Sequence, residues 1–138
     1  MKELQKYSIR GSFLFQATDQ LSKVCNAPGE DFKCGGIYII YAERKGVSDL
    51  VYIGISGRID KQSGQLIPRK DGIKGRIVNG KRDGKPRKNY WLREMDIENI
   101  ERLKFYWYVV HDNDSFQDSP EAIEKELIDI YKPRWNRT

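Results

Sequence analysis

Two tyrosines and a glutamate are the residues of this chain best placed to do chemistry. Tyr38 and Tyr52 sit in apolar runs at 36–41 (Gly-Ile-Tyr-Ile-Ile-Tyr) and 51–56 (Val-Tyr-Ile-Gly-Ile-Ser). A polar connector from Glu43 to Leu50, with Gly46 and Asp49 in it, separates the runs, so they read as an antiparallel hairpin. Side chains alternate along a strand, which groups Tyr38 with Ile40 and Ala42, and Tyr52 with Gly54 and Ser56. Gly54 leaves its face bare beside the phenols, and a glycine inside a strand marks close approach by a ligand or another backbone.

Glu124 stands out by position. At about 100° per residue, Ile123, Leu127, Ile128, Ile130 and Tyr131 form one side of a helix, while Glu121, Lys125 and Asp129 point away. Glu124 falls inside the apolar arc, where a carboxylate is costly unless paired or bound to a cation. A salt bridge to an arginine would satisfy it, and so would a metal ion at the rim of the core. Beyond the helix, Trp135 suits an anchor for the chain end and Asn136 a cap for backbone groups.

Charge adds a third feature. Over 69–88 the basic residues Arg69, Lys70, Lys74, Arg76, Lys81, Arg82, Lys85, Arg87 and Lys88 stand against Asp71 and Asp83. That segment carries +7 of a net +5, which leaves the rest of the chain at −2. A basic segment on a slightly acidic protein is the footprint expected for a polyanion, nucleic acid being the commonest; the plainer alternative is a solvated loop. Arg58 and Tyr90 extend the candidate contact set on either side.

The elements that must position these residues follow from local pattern. Ile9, Phe13 and Phe15 alternate loosely and suit a short edge strand, and Thr18 can cap a short helix reaching about Cys25. The stretch 57–72 is too irregular for a regular element. A short helix is expected over 73–78, and another capped by Asn89 and ending before Asn99, with Trp91, Leu92 and Met95. Residues 103–111 form the strongest further strand, with Leu103, Phe105, Trp107 and Val109 on one face. Ser119-Pro120-Glu121 opens the last helix with a cap, a first-turn proline and a favourably placed acid.

At 138 residues, 38% hydrophobic and 33% charged, the chain suits one globular domain, with residues 1–35 packing on the core as an extension. No apolar run reaches membrane-spanning length and no secretion signal opens the chain, so the cytoplasm is the expected compartment. Two cysteines are then expected as free thiols, and with one histidine they are too few for a Cys/His zinc site.

Taken together, Gly36-Ile37-Tyr38, then Tyr52-Ile53-Gly54, then Arg76 on a short helix, then Glu124 on a helix running into Pro133-Arg134-Trp135-Asn136, resemble the GIY-YIG nuclease superfamily. The likeness extends over about 36–136. It implies an α+β fold with a small three-stranded antiparallel sheet flanked by helices, and a metal-dependent endonuclease leaving 5′-phosphate and 3′-hydroxyl ends. The family includes homing endonucleases, some restriction enzymes and an excision-repair incision module. In its terms Tyr38 is the general base, Tyr52 its supporting phenol, Arg76 the phosphate-holding arginine, Glu124 the ligand of Mg²⁺ or Mn²⁺, and Asn136 a positioning residue. A phenol ionises near pH 10, so the base needs positive charge beside it, and Lys74 and Arg76 are the expected source.

The chain departs from the family in three places. One helical turn after the arginine, where a histidine or tyrosine is usual, stands Gly80, so that Tyr90 or His111 takes the role from elsewhere or the role is vacant. Ile55 replaces a lysine found in some relatives, and 57–73 reads as an insertion. Double-stranded DNA is the expected substrate, with any sequence preference coming from 57–88, another chain, or a homodimer. Two alternatives stand beside this: a nucleic-acid-binding module without catalysis, and a two-carboxylate nuclease built on Glu43-Arg44-Lys45. The family reading requires Tyr38 and Tyr52 to face the same cleft as Arg76 and Glu124.

Overall fold

The computed structural model describes residues 1–136. Its centre is the hairpin of β2 (Gly35–Arg44) and β3 (Val47–Ser56). The two-residue turn Lys45-Gly46 takes positive φ at both positions (50° and 75°), the geometry whose twist matches paired strands. Much of the expected polar connector is therefore strand, with Glu43 opposite Ser48 and Arg44 opposite Val47.

The sheet has four strands, one more than the expected three. β8 (Arg102–His111) pairs antiparallel with β2 and β1 (Arg10–Phe15) with β8, giving the order β1-β8-β2-β3. β1 is the edge strand expected from the alternation of Ile9, Phe13 and Phe15, and Phe13 stacks on Phe105 at 4.6 Å, so it joins the sheet through a segment about ninety residues later. In the N-terminal segment Leu4 and Tyr7 are buried with Ile37, Ile39 and Val110.

One face of the sheet carries Tyr38, Ile40, Ala42, Leu103, Phe105, Trp107 and Val109, packed against α1 (Leu21–Val24), α2 (Gly72–Asn79) and α3 (Arg87–Ile97). The other face carries Ile37, Ile39, Ile53, Tyr108 and Val110 against Leu127 of α4 (Pro120–Tyr131). Both buried cysteines are free. Among the described residues no helix is long and apolar enough to cross a membrane.

Helix starts differ from expectation where capping is indirect. α1 begins one residue after Gln20, with no side-chain cap, so Thr18 does not open it. α3 begins directly after Pro86, placing Asn89 within its first turn and not at the cap. The opening of α4 is as read: the Ser119 hydroxyl accepts from the Ala122 amide and Pro120 takes the first turn. Its apolar arc is narrower than read, because Ile130 and Tyr131 are 53% and 38% exposed. Stretch 57–72, expected to be irregular, holds a small hairpin of β4 (Arg58–Ile59) and β5 (Leu66–Ile67). A second, β6 (Lys81–Arg82) with β7 (Lys85–Pro86), turns at Asp83-Gly84 with φ of 55° and 78°.

Gly54 sits directly opposite Tyr38 in the β2–β3 register. A Cβ built there would lie 2.3 Å from Tyr38 Cζ and 2.5 Å from its oxygen. The bare position is thus a seat for the Tyr38 ring, and not the opening for a ligand or backbone that the sequence suggested. Gly54→Ala is expected to lower unfolding free energy by about 1–3 kcal/mol, the range for overpacking a filled core; urea unfolding equal to wild type would show that the seat has slack.

Candidate active site

The seat over Gly54 holds Tyr38 fully buried, with its ring 5.9 Å from Tyr52 and 6.4 Å from Trp91. Its oxygen accepts a hydrogen bond from Arg87 Nη1 at 2.8 Å. Arg87 Nη2 donates to the Lys81 carbonyl at 3.2 Å, and the guanidinium lies 5.7 Å from the Tyr52 ring. Arg87 is 6% exposed, and among the described residues no other arginine, lysine, aspartate or glutamate is buried to this degree. Burial pushes the Tyr38 phenol far above its usual range; Tyr52 adds to the rise, and Arg87 and Arg76 oppose it without cancelling it.

Positive charge beside Tyr38 was expected from Lys74 and Arg76. Arg76 supplies part of it, but Arg87 replaces Lys74, whose charge acts on Cys25 instead. Gly80 explains how Arg87 gets there. A Cβ at position 80 would meet the Arg76 carbonyl at 2.4 Å and Arg87 Nη1 at 3.2 Å, so the space a side chain would take is occupied by the guanidinium. The amide of Arg87 donates to the Gly80 carbonyl at 2.8 Å, tying the two positions together. Neither Tyr90 nor His111 takes that place. Tyr90 lies between the guanidiniums of Arg82 and Arg93 and packs on Trp135. His111 is buried at the end of β8, bridged to Gln117.

Arg76, on α2, keeps a buried Nε with no hydrogen-bond partner and forms no salt bridge with a described residue. Glu124 is half-buried and likewise makes no hydrogen bond or salt bridge with a described residue. Burial raises the carboxyl above its usual range, while Arg76 and then Arg87 pull it down and Glu121 pushes it up. The body of α4 packs on the face opposite Tyr38, yet Glu124 feels Arg76 and Arg87, both attached to Tyr38's own face.

Asn136 closes the β3 edge. Its amide donates to the Ile53 carbonyl at 2.8 Å and accepts from the Ile53 amide at 2.9 Å, copying a strand partner. Trp135 is buried, its backbone amide bonds Val51, and its indole N–H donates to Glu98. Asn136 therefore caps backbone, and with Tyr52, Lys81, Arg82, Arg87 and Trp135 it lines a cavity of about 290 Å³.

The remaining basic candidates divide into two groups. Arg58 and Arg69 line a cavity of about 440 Å³ that reaches Arg76 and Glu121, although Arg69 is also bonded to Asp71 at 2.5 Å. Arg82, Lys85 and Tyr90 line another of about 630 Å³. Lys70 is exposed, Lys74 and Lys88 half-exposed, and none of the three lines these cavities. Arg87, expected as a surface contact, is enclosed by the phenols. Glu43, the acid of the two-carboxylate alternative, is bonded to Arg102 at 2.6 Å near the hairpin turn. Among the described residues no three His, Cys, Asp or Glu side chains converge as a ligand set. Comparisons with models of protein families, with characterised proteins and with solved structures found no match to this chain.

Tyr38 and Tyr7 both hold their protons more tightly than in the unfolded chain, where a phenol ionises near pH 10. The native state therefore binds more protons than the unfolded state above about pH 10, and stability falls as pH rises through that point. Urea unfolding from pH 8 to 11 should show the decline, and Tyr38→Phe should make it shallower. An equal decline in the variant would contradict a tightly held Tyr38 proton.

Proposed function

We propose that the protein is a divalent-metal-dependent endonuclease of the GIY-YIG type that hydrolyses phosphodiester bonds of double-stranded DNA, with a restriction enzyme as its setting. One observation carries the reading: the side chains of Arg76 and Glu124 have no hydrogen-bond partner among the described residues, and Arg76 acts both on the Glu124 carboxyl and on Tyr38. An unsatisfied guanidinium fork suits phosphate oxygens. An unsatisfied, half-buried carboxylate suits a small cation that takes its other ligands from water and phosphate.

Each residue then has a task. Arg76 grips the phosphate and meets charge building on its oxygens. Tyr38, once it has given up its own proton to solvent, takes one from the attacking water. The water oxygen bonds to phosphorus, the bond to the 3′ oxygen breaks, and that oxygen takes a proton from solvent. Glu124 would hold Mg²⁺ or Mn²⁺, which supplies Lewis-acid polarisation of the phosphate when bound. The lysines and arginines of the two small hairpins serve as phosphate contacts along the duplex.

Plasmid cleavage with magnesium or manganese tests the assignment. Wild type is expected to nick and linearise DNA, with Glu124→Ala and Tyr38→Phe slower by about 100-fold or more, the scale of one acid–base or electrostatic group. Equal cutting by all three, or none by wild type, would overturn it.

A further inference from the structure

A buried guanidinium needs a reason, because removing it from water costs several kcal/mol by general estimate. Arg87 forms no salt bridge with a described residue. Its side-chain hydrogen bonds go to a phenol oxygen and one backbone carbonyl. A Cβ at position 80 would come within 3.2 Å of its Nη1, so the glycine there leaves the guanidinium room. Its backbone is pinned by Gly80 just after Pro86, so the start of α3 aims the side chain under the sheet.

The direction of the hydrogen bond has a consequence. A guanidinium is donor-only, so Arg87 occupies a lone pair of the Tyr38 oxygen and the phenol's own hydrogen must point elsewhere. A donor held in place also strengthens its bond when the oxygen becomes an anion. The other charged or titratable groups acting on Tyr38 are Arg76 from α2 and Tyr52 from β3, with Glu124 of α4 acting on Arg87.

The geometry points to Arg87 as a positioning residue for Tyr38: it fixes the phenol's hydroxyl direction and stabilises its ionised form, in the place that a side chain at position 80 would otherwise occupy. This rests on the nuclease reading for its use in catalysis, but the proton holding itself is a property of the free protein. Arg87 is thereby set apart from Lys81, Arg82 and Lys85, exposed or half-exposed neighbours that serve as phosphate contacts.

The test separates the two levels. The protein is made with fluorotyrosine, whose phenol ionises at lower pH than that of tyrosine, and the Tyr38 signal is assigned by its loss in Tyr38→Phe. Fluorine NMR then follows ionisation in wild type, Arg87→Lys and Arg87→Met. Ionisation of Tyr38 is expected at higher pH in Arg87→Met, with Arg87→Lys between. Identical behaviour in wild type and both variants, no movement included, overturns the proposal whatever the activity.

In parallel, plasmid cleavage and duplex binding are measured for the same set. Arg87→Met is expected to cut at least tenfold slower while binding duplex within about twofold of wild type, with the deficit shrinking as pH rises. In the Tyr38→Phe background it is expected to add less than about twofold. Weakened binding with unchanged turnover would make Arg87 a phosphate contact and overturn the positioning role. Shifted ionisation in a wild-type protein that cuts no DNA would uphold the Arg87–Tyr38 coupling and remove the nuclease reading instead. Arg87→Lys keeps the charge and guards against a variant that fails to fold.

Discussion

The seating of Tyr38 over Gly54 is the constraint on which the site depends. Register in an antiparallel pair is all-or-none in its effect on faces: a slip of one residue would send Tyr38 to the side now held by Ile37 and Ile39. The tight Lys45-Gly46 turn, the flanking β8 and the lack of a side chain at position 54 prevent the slip together. Once the ring is down, its oxygen lies at a fixed depth, and α3 must bring a donor to it. Arg87 does so from the first residue of that helix, which explains why a short hairpin and a proline precede it. The order of dependence runs from strand register to phenol depth to helix start.

A buried cation and a buried phenol beside each other form an incomplete ion pair. In the resting protein the phenol keeps its proton, since desolvation outweighs the two guanidiniums. Arg87 forms no salt bridge with a described residue, and Glu124 acts on it from another helix. An anion arriving beside Arg76 would meet a guanidinium with no salt bridge to a described residue, whereas loss of the Tyr38 proton costs stability because burial outweighs the guanidiniums. That opening for an anion distinguishes the site from a structural salt bridge, in which the opposing charges already neutralise each other.

Legibility in the sequence tracked the range of the forces involved. The hairpin could be read because strand alternation is local, and so could the α4 start, because Ser119 and Pro120 act within one turn. Glu124 could be picked out as misplaced in its arc, but not that its helix would pack on the reverse face, since a period says which residues share a side and not which layer receives them. β1 could be read as an edge strand, but its place beside β8 depended on Phe105, far along the chain. Arg87 looked like one of nine basic residues; its burial follows from Gly80 seven positions earlier, and a glycine at a helix end has many commoner explanations. The signal that could have found it was the missing side chain itself: a vacated volume next to an arginine-rich segment invites one of those arginines inward. Gly54 carried the right message, close approach, but the approaching group was its own neighbour's ring.

The β3 edge ties these pieces to the last residues described. An open edge strand presents unpaired amides and carbonyls, which invites pairing with another chain. Here Asn136 and Trp135 take the Ile53 and Val51 groups, so the chain's end serves as a partial strand. Because it pairs by a side-chain amide and not by continuous backbone, it ends the ladder while leaving room next to Tyr52 and Arg87. The substitute strand covers part of the edge, and the Glu124 carboxyl from one layer feels the guanidiniums of Arg76 and Arg87 from the other.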